Sequence, residues 1–505
     1  MKKLYFGIII AAIFCIQTAF AQNITRQSYE KAREVLDKAV AAYGGLENLR
    51  GIQNFSLKAV GDTVQRNQSR RAFFVERTPY QIDVTVDMKN NRFVQVTKGG
   101  YPGGFKYHGG LAVDKTDGVS FDFVRSTSTA RPNIPPGAIR FRQRWIPQYW
   151  VLNAVERASR LRYLGKTEFG GRPHVAISYA NEDGAENTLY FDEKTYLLSK
   201  FEGVGTDVFA GDAVFEMIYP GYRTEGSHQI PTGRIAKVND EMTEELRFEQ
   251  LVFNTTLTDD KFKAPGGMKA VPLFVPNQQP PVSKLSENVY TVLAGGYNVL
   301  FVGFKDFVFV MEAPGNDNVS RQAIEQIKKT FPDKPIRYVS VTHHHDDHAG
   351  GIRTYIAEGA TLIVAPGEKK FFEQVAKSRF TIDPDTLTRN PQPLKIEIIA
   401  GGKRVLTDGA MTVEILDIGT GPHADEMLVA YLPNEKMLFQ GDLLNNPLNG
   451  DAAIANDTTA HFAKWIETRK LAVEKIIPVH GTVQTLDNLR QAVSEMSAPK
   501  NSAKN

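Results

Sequence analysis

A chain of 505 residues is too long for one ordinary hydrophobic core, so two or more domains are expected. Its make-up, 42% hydrophobic and 23% charged, is that of a globular protein and excludes a low-complexity chain. A formal charge of +3 lacks the strongly basic balance of a nucleic-acid binder and gives no reason to expect a polyacidic partner.

The N-terminus reads MKKLYFGIIIAAIFCIQTAFAQN. Lys2 and Lys3 form a positive start, Leu4 to Ile16 a short apolar run, and Ala19-Phe20-Ala21 a small-residue cleavage site. Residues 1–21 are therefore expected to be a cleaved signal peptide, with Gln22 first in the mature protein. The apolar run is short for a span of about 20 residues. Phe14 stands before Cys15, where lipid attachment needs a small residue. Cys15 is the only cysteine and leaves with the signal, so the mature chain has no thiol for catalysis or ligation and no disulfide. The expected product is periplasmic or secreted, with no stable membrane span after cleavage.

Residues 22–263 open with a helical stretch, SYEKAREVLDKAVAAYGG, which its glycine pair ends. Alternating runs rich in Val, Thr, Phe and Tyr follow: FSLKAVGDTV, YQIDVTVDM, RFVQVTKG, HVAISYA, NTLYFDEKTYLLSKFE and GRIAKV. With turn residues between them they predict an antiparallel β-domain. Residues 148–164, QYWVLNAVERASRLRYL, read as an inserted helix. IRFRQRWIPQYW reads as a groove lining or a strand and turn. Residues 264–285 hold the proline- and glycine-rich stretch APGGMKAVPLFVPNQQPP, a linker pattern. The two parts are expected to separate there, so that a chain beginning near Val282 would fold and bind metal.

Residues 286–495 change rhythm, and 496–505 form a tail. ENVYTVLAG, NVLFVGF and DFVFVME predict strands. SRQAIEQIKKTF predicts an amphipathic helix, and IRYVSVTH a strand. A helix from Gly351, the strand ATLIVA and the helix EKKFFEQVA follow, then the strands KIEIIA, MTVEILDIG, EMLVAYLP and KMLFQGD. The helix DTTAHFAKWIETRKLAV, the strand KIIPVHG and the helix TLDNLRQAVSEM close the domain. Alternating strands and helices predict helices packed outside buried sheets.

Four of the ten histidines, His343, His344, His345 and His348, fall in VTHHHDDHAG at the end of one of these strands, with Asp346 and Asp347 between. Just beyond a strand, residues two apart point the same way. His343, His345 and Asp347 therefore face one side, and His348 joins as the chain turns into a helix. Converging imidazoles and carboxylates suit a borderline metal such as zinc. Further candidates sit at other strand ends: His423 in IGTGPHADEM, Asp442 in KMLFQGD and His480 in KIIPVHG. Glycines beside them (Gly350, Gly421, Gly441, Gly481) permit the turns that aim such side chains into a cleft.

The pattern H-x-H-x-D-H followed by H, D and H at strand ends resembles the metallo-β-lactamase-fold superfamily over roughly residues 286–490. The resemblance implies an αββα sandwich after the β-rich domain, in a two-domain α+β chain. It implies His343, His345 and His423 around a first metal, Asp347, His348 and His480 around a second, and Asp442 bridging the two. Two zinc ions, rather than iron or manganese, are the implied cofactors. The implied activity is hydrolysis of an ester, thioester, lactone or related carbonyl of a small substrate by a metal-bound hydroxide, which Asp347 would orient or deprotonate. The family usually carries aspartate where this chain has Glu312. No lysine follows Asp442 closely: LLNNPLNG offers no cation to meet a substrate carboxylate. His344 and Asp346 occupy variable positions and are expected to face solvent or to support ligands from behind, with Thr342 hydrogen-bonded among them. His461, His108, His174 and His228 are expected to be structural or surface residues.

Residues 22–263, through AAYGGLENLRGIQNFSLKAVG and GRPHVAISYANEDGAENTLYFDEKTYLLSKFE, are similar to exported proteins of the lipoprotein-carrier type. That similarity implies a half-barrel able to hold an acyl chain, hence a lipophilic substrate. Two alternatives stand beside the hydrolase: a lipid- or ligand-binding protein with a weakly active metal domain, and a mononuclear iron dioxygenase on the same fold. The complete second set of ligands argues against the latter.

Overall fold

A computed structural model describes residues 23–497 apart from 65, 136, 183 and 274–279. The expected signal peptide, most of the tail and the middle of the expected linker lie outside the described residues.

The first half is β-rich. Its opening helix, Ile24–Ala42, buries Ala32, Val35, Leu36 and Ala39, an i, i+3, i+4, i+7 stripe that faces one side. The stripe packs on Trp150 and Val151 of the helix Pro147–Glu156 and on Ile177, Leu189, Phe191 and Leu198 of the sheet. Each large apolar side chain withdrawn from water there contributes about 1.5–3 kcal/mol. The sheet has fourteen strands, antiparallel except where Lys269–Ala270 runs parallel to Thr127–Arg131 at one edge. Strands β1 (Asn54–Val64), β2 (Arg77–Asp87), β3 (Arg92–Gly100) and β4 (Lys106–Asp114) form a meander within it. Among the described residues its two edge strands do not pair with each other, so the sheet is open.

Three expectations change. The helix expected over 148–164 ends at Glu156, and Arg162 begins a strand. Arg162–Phe169 pairs with the next strand, Arg172–Ala180, through a two-residue turn in which Gly170 and Gly171 take φ +57 and +70, and that hairpin outweighs the helical preference of residues 157–164. The segment IRFRQRWIPQYW falls into two helices, Gly137–Gln143 and Pro147–Glu156. Pro147 sits in a first turn, where its missing N–H leaves no bond unmade. The expected linker is partly in strands: Lys269–Ala270 joins the large sheet, and Val282–Ser286 pairs antiparallel with Val289–Ala294. Residues 282–286 contain no proline to interrupt that ladder.

The second half is mixed α/β, with a seven-stranded and a five-stranded sheet. The strand period of two sorts its side chains into layers. In Tyr297–Gly303, Val299 and Phe301 face the helix Asp317–Thr330 and its neighbours, whereas Leu300 and Val302 face the other sheet. In the smaller sheet, Phe439 and Ile477 face inward, while Leu438 and Ile476 pack under Phe462 and Trp465 of the helix Asp457–Arg469. Helix, sheet, sheet, helix is the resulting order.

One buried charge ties the first helical layer together. Arg353, 5% exposed, donates to the Asp385 carboxylate and to Val375 O and Ala376 O at 2.8 and 2.9 Å, carbonyls near the C-terminal end of the helix Lys369–Lys377. Burial alone would raise the Asp385 carboxyl, but bonds from Arg353 and Thr388 outweigh it and hold the carboxyl below its usual range. Arg353→Ala strands that carboxylate, and the expected cost is about 3–5 kcal/mol in urea unfolding at neutral pH. The folded-state pKa is lowered, so the contribution is present above the usual carboxylate range and is lost as pH falls through the lowered value. The difference between wild type and variant should therefore shrink in acid; a constant difference would place the effect elsewhere.

The two halves touch extensively. Phe209, from the β-rich half, lies in the core of the α/β half with its ring 5.0 Å from Phe371. Asp212 N donates to Arg379 O at 2.7 Å, and the Asp212 carboxylate accepts from Thr381 N at 2.8 Å.

Candidate metal centre

Strand ends of both smaller sheets deliver the site. Ile336–Ser340 runs out into Thr342 and the histidines, and the short helix Asp346–Ala349 follows at once. Met437–Gln440 ends beside Asp442, and Lys475–Pro478 beside His480. His423 lies between Thr412–Asp417 and Leu428–Leu432. Of the four adjoining glycines, only Gly481 needs a left-handed backbone, at φ +119. Gly350 and Gly441 are instead close approaches, with an added Cβ 2.2 Å from Gly315 O and 2.4 Å from Thr342 Oγ1.

All seven expected ligands converge, in two groups that share Asp442: His343, His345, His423 and Asp442, and Asp347, His348, Asp442 and His480. In the first, His343 Nε2 is 2.8 Å from His345 Nδ1 and 3.1 Å from His423 Nε2. Asp442 Oδ2 stands 3.2 Å from His423 Nε2. Its other oxygen, Oδ1, turns to the second group, 3.2 Å from His480 Nε2 and 3.4 Å from His348 Nε2. Asp347 Oδ2 is 3.2 Å from His480 Nε2 and 3.6 Å from His348 Nε2. With metal–nitrogen bonds of about 2.0–2.1 Å, the ligand atoms of a tetrahedral zinc site lie roughly 3.3 Å apart. Both groups approach that spacing, so the residues present fit a pair of metal ions.

The charge pattern suits the same role. Burial, with the neighbouring imidazoles adding to it, holds His343 and His345 well below the usual histidine range, so both are neutral donors. Burial opposes charge on His348 and His480 too, but Asp347 and Asp442 outweigh it. His348 is raised well above its usual value and His480 is pushed up to about 9. Burial would raise Asp442, yet the facing histidines hold it well below the carboxylate range. Without metal, protons on His348 and His480 balance the carboxylates, and an arriving cation displaces them.

The rings are held from behind. Thr342 Oγ1 lies 3.1 Å from His343 Nδ1 and 3.3 Å from His348 Nδ1. Glu312 Oε1 accepts from Thr342 N at 3.1 Å, and its Oε2 is 3.5 Å from His348 Nδ1. Glu312 thus supports the site despite its longer arm, on a fully buried backbone at φ +98. A non-glycine residue there is strained, and such strain persists only where the surroundings over-determine it. His344 does not face solvent: it is 3% exposed and pairs with Glu368 Oε1 at 3.2 Å. Asp346 accepts from Gln68. His461 lies on the helix Asp457–Arg469, outside the cavity lining. His108 stacks on Phe123, His174 bonds Arg172 O and His228 meets Phe253, all away from the site.

A cavity of about 680 Å³ opens over Asp347, His423, Asp442 and His480. Much of its wall comes from the β-rich half: Gln68, Tyr101, Phe105, Lys106 and Tyr107, facing Tyr297. Lys106 is a cation that the stretch LLNNPLNG directly after Asp442 lacks. None of these residues stands out in the sequence. The only local hint is the glycine-rich hairpin KGGYPGGFKY between β3 and β4. Gly103, at φ +87, lets that hairpin close on the site, since a Cβ there would lie 2.7 Å from His423 Cα. Thr458 Oγ1 donates to Gly103 O at 3.0 Å, and the Phe105 ring meets the His423 ring edge-on at 5.3 Å. Gly103→Val is expected to cost about 1–2 kcal/mol through backbone strain. By lifting the hairpin, it should also raise KM more than it lowers kcat. Thermal unfolding and steady-state kinetics read the two effects, and an unchanged KM would remove the hairpin from the binding wall.

A layered α/β sandwich with two histidine–aspartate groups at its strand ends is the architecture of a metal-dependent enzyme. Residues 311–480 match the family model of the metallo-beta-lactamase superfamily. The chain is 26% identical over 218 residues to the lactamase-like protein vrtG of Penicillium aethiopicum, covering 42% of this chain and 61% of that protein. It is 23% identical over 216 residues to metallo-beta-lactamase type 2 of Bacillus cereus, covering 40% of this chain and 77% of that one. Among solved structures, DIM-1 metallo-beta-lactamase exposed to ceftazidime aligns with 44% of this chain and 98% of its own, at 21% identity and a TM-score of 0.32. A metallo-beta-lactamase from Pontibacter korlensis aligns with 44% of this chain and 100% of its own, at 20% identity and a TM-score of 0.32. The α/β half of the chain belongs, over residues 311–480, to the metallo-β-lactamase superfamily of metal-dependent hydrolases.

Proposed function

We propose that the protein is an exported hydrolase that uses two zinc ions to cleave an ester, thioester or lactone of a small, partly apolar substrate. The observation that carries this reading is the split aim of Asp442, whose two oxygens each face one ligand group at 3.2 Å. His343, His345 and His423 would hold the first ion, Asp347, His348 and His480 the second, and Asp442 both. Such a pair supplies an activated water and a Lewis acid for the carbonyl oxygen. Asp347, which lines the cavity, would orient the nucleophile or take its proton. Tyr101, Phe105, Tyr107 and Tyr297 favour a substrate with an apolar or aromatic substituent, and Lys106 favours a negative group on it. Export rests on the N-terminal sequence. The reading of the β-rich half as a half-barrel for an acyl chain rests on its resemblance to lipoprotein carriers, and an open sheet with a packed helix is compatible with it.

Elemental analysis of the purified full chain should find about two zinc ions per molecule. One iron and no zinc would replace this reading with the dioxygenase. Metal-loaded protein should turn over members of an ester, thioester, lactone and β-lactam panel. Binding of apolar ligands without any turnover would favour the ligand-binding alternative.

A further inference from the structure

The loop between β1 and β2 belongs to the β-rich half, yet it reaches behind the metal centre. Gln68 Nε2 lies 2.5 Å from Asp346 Oδ1 and 2.8 Å from Asp347 Oδ1. Carboxylate oxygens only accept, so the amide nitrogen is the group that faces them, and its two hydrogens serve one carboxylate each. One residue further, the carbonyl of Ser69 lies 2.9 Å from His345 Nε2. A carbonyl also only accepts, so His345 carries its proton on Nε2 and presents Nδ1 to the metal group. The loop is latched to the α/β half: Asp425 N donates to Arg70 O at 2.9 Å, and Asp346 N to Asn67 O at 3.4 Å. Arg70 N is in turn held by Glu76 at 2.6 Å.

We propose that Gln68 is a positioning residue of the metal site, supplied by the β-rich half, which fixes the Asp347 carboxylate in its ligating orientation. The inference rests on the dinuclear reading above. Asp347 has two equivalent oxygens and a side chain free to turn. With Oδ1 held by Gln68, Oδ2 is left facing His480 and His348, 3.2 and 3.6 Å away. Gln68 also separates two adjacent carboxylates that would otherwise repel. Without its N–H groups, Asp347 loses the bond that selects its rotamer, and its oxygens compete for the same histidines. The β-rich half then has a chemical role as well as a walling one.

The test is zinc titration of the full chain, stripped with a chelator and read against a competing indicator. Wild type should take up two equivalents. Gln68→Ala should weaken the second equivalent roughly 10–100-fold, the usual scale for a partner that orients a ligand, while the first changes by less than about threefold. Gln68→Leu keeps the bulk and removes the donors, so it should behave like Gln68→Ala. If Gln68→Leu binds both equivalents as wild type does, Gln68 only fills space and the proposal is wrong. If either folded variant loses both equivalents alike, the loop acts on the fold as a whole, which also overturns it. Wild type that binds no zinc would instead remove the dinuclear reading, and this inference with it. Thermal unfolding of the metal-free proteins is the companion measurement, and both variants should unfold within a few degrees of wild type.

Discussion

Asp442→Ala is expected to empty both metal positions, because it is the one side chain with an oxygen in each group. A structural zinc ion contributes about 10–16 kcal/mol spread over four ligands, so one ligand is worth roughly 3 kcal/mol, or about 100-fold in affinity. Removing Asp442 should therefore weaken both zinc equivalents about 100-fold, and activity at limiting zinc should fall with them. His344→Ala is the matched control in the same centre. His344 is turned away from both groups toward Glu368, whose carboxyl burial already raises. Its loss should lower stability, by leaving that acid without its partner, and leave zinc stoichiometry at two. Zinc titration and thermal unfolding of the two variants separate these outcomes. Equal metal loss from both would mean that the division between ligating and non-ligating positions in HHHDDH is drawn wrongly.

A chain beginning at Val282 is expected to fold poorly and to bind zinc weakly. The proline-rich composition around 264–281 argues for separable halves, but the packing argues otherwise. Phe209 is 5% exposed inside the core of the α/β half, edge-on to Phe371, and Ala72 and Val208 pack against the same core. Removing a buried phenylalanine from such a site costs about 3–5 kcal/mol, a large part of the 5–15 kcal/mol that holds an ordinary domain together. The same cut removes the Ser69 carbonyl from His345 and Gln68 from Asp347. Solubility, cooperativity of unfolding and zinc content of residues 282–505 measure the effect. A soluble, cooperatively folded fragment with two zinc ions would show that the cross-contacts are dispensable. Phe209→Ala in the full chain offers a milder version and should lower the unfolding midpoint by several degrees.

These two expectations mark where local sequence information ends. The set of converging side chains was legible because the spacing of the HHHDDH stretch, and strands running out into His480 and Asp442, are local properties. A strand period of two and a helix period of 3.6 place such side chains without knowledge of the partner element. The layering of the α/β half was legible for the same reason, since alternate residues of Tyr297–Gly303 divide between two apolar faces. The helix expected over 148–164 failed for a local reason that the reading passed over: the turn at Gly170 and Gly171 folds Arg162–Phe169 back on the next strand, Arg172–Ala180, as a hairpin. The glycines beside the ligands were visible as glycines, but at Gly350 and Gly441 the reason is crowding by another segment rather than a turn.

By itself, then, the sequence determined which candidate side chains stand at the strand ends and the alternation of strands and helices that carries them, because both follow from chain geometry over a few residues. Tertiary structure alone decided that Asp442 divides its oxygens between two groups, that Glu312 reaches His348 from a strained backbone, and that Gln68, Ser69, Phe105 and Lys106 of the β-rich half complete the centre. Those contacts join residues more than two hundred positions apart, or fix which atom of a side chain faces which partner. Neither quantity is encoded in periodicity or composition; both are set by how the two halves pack.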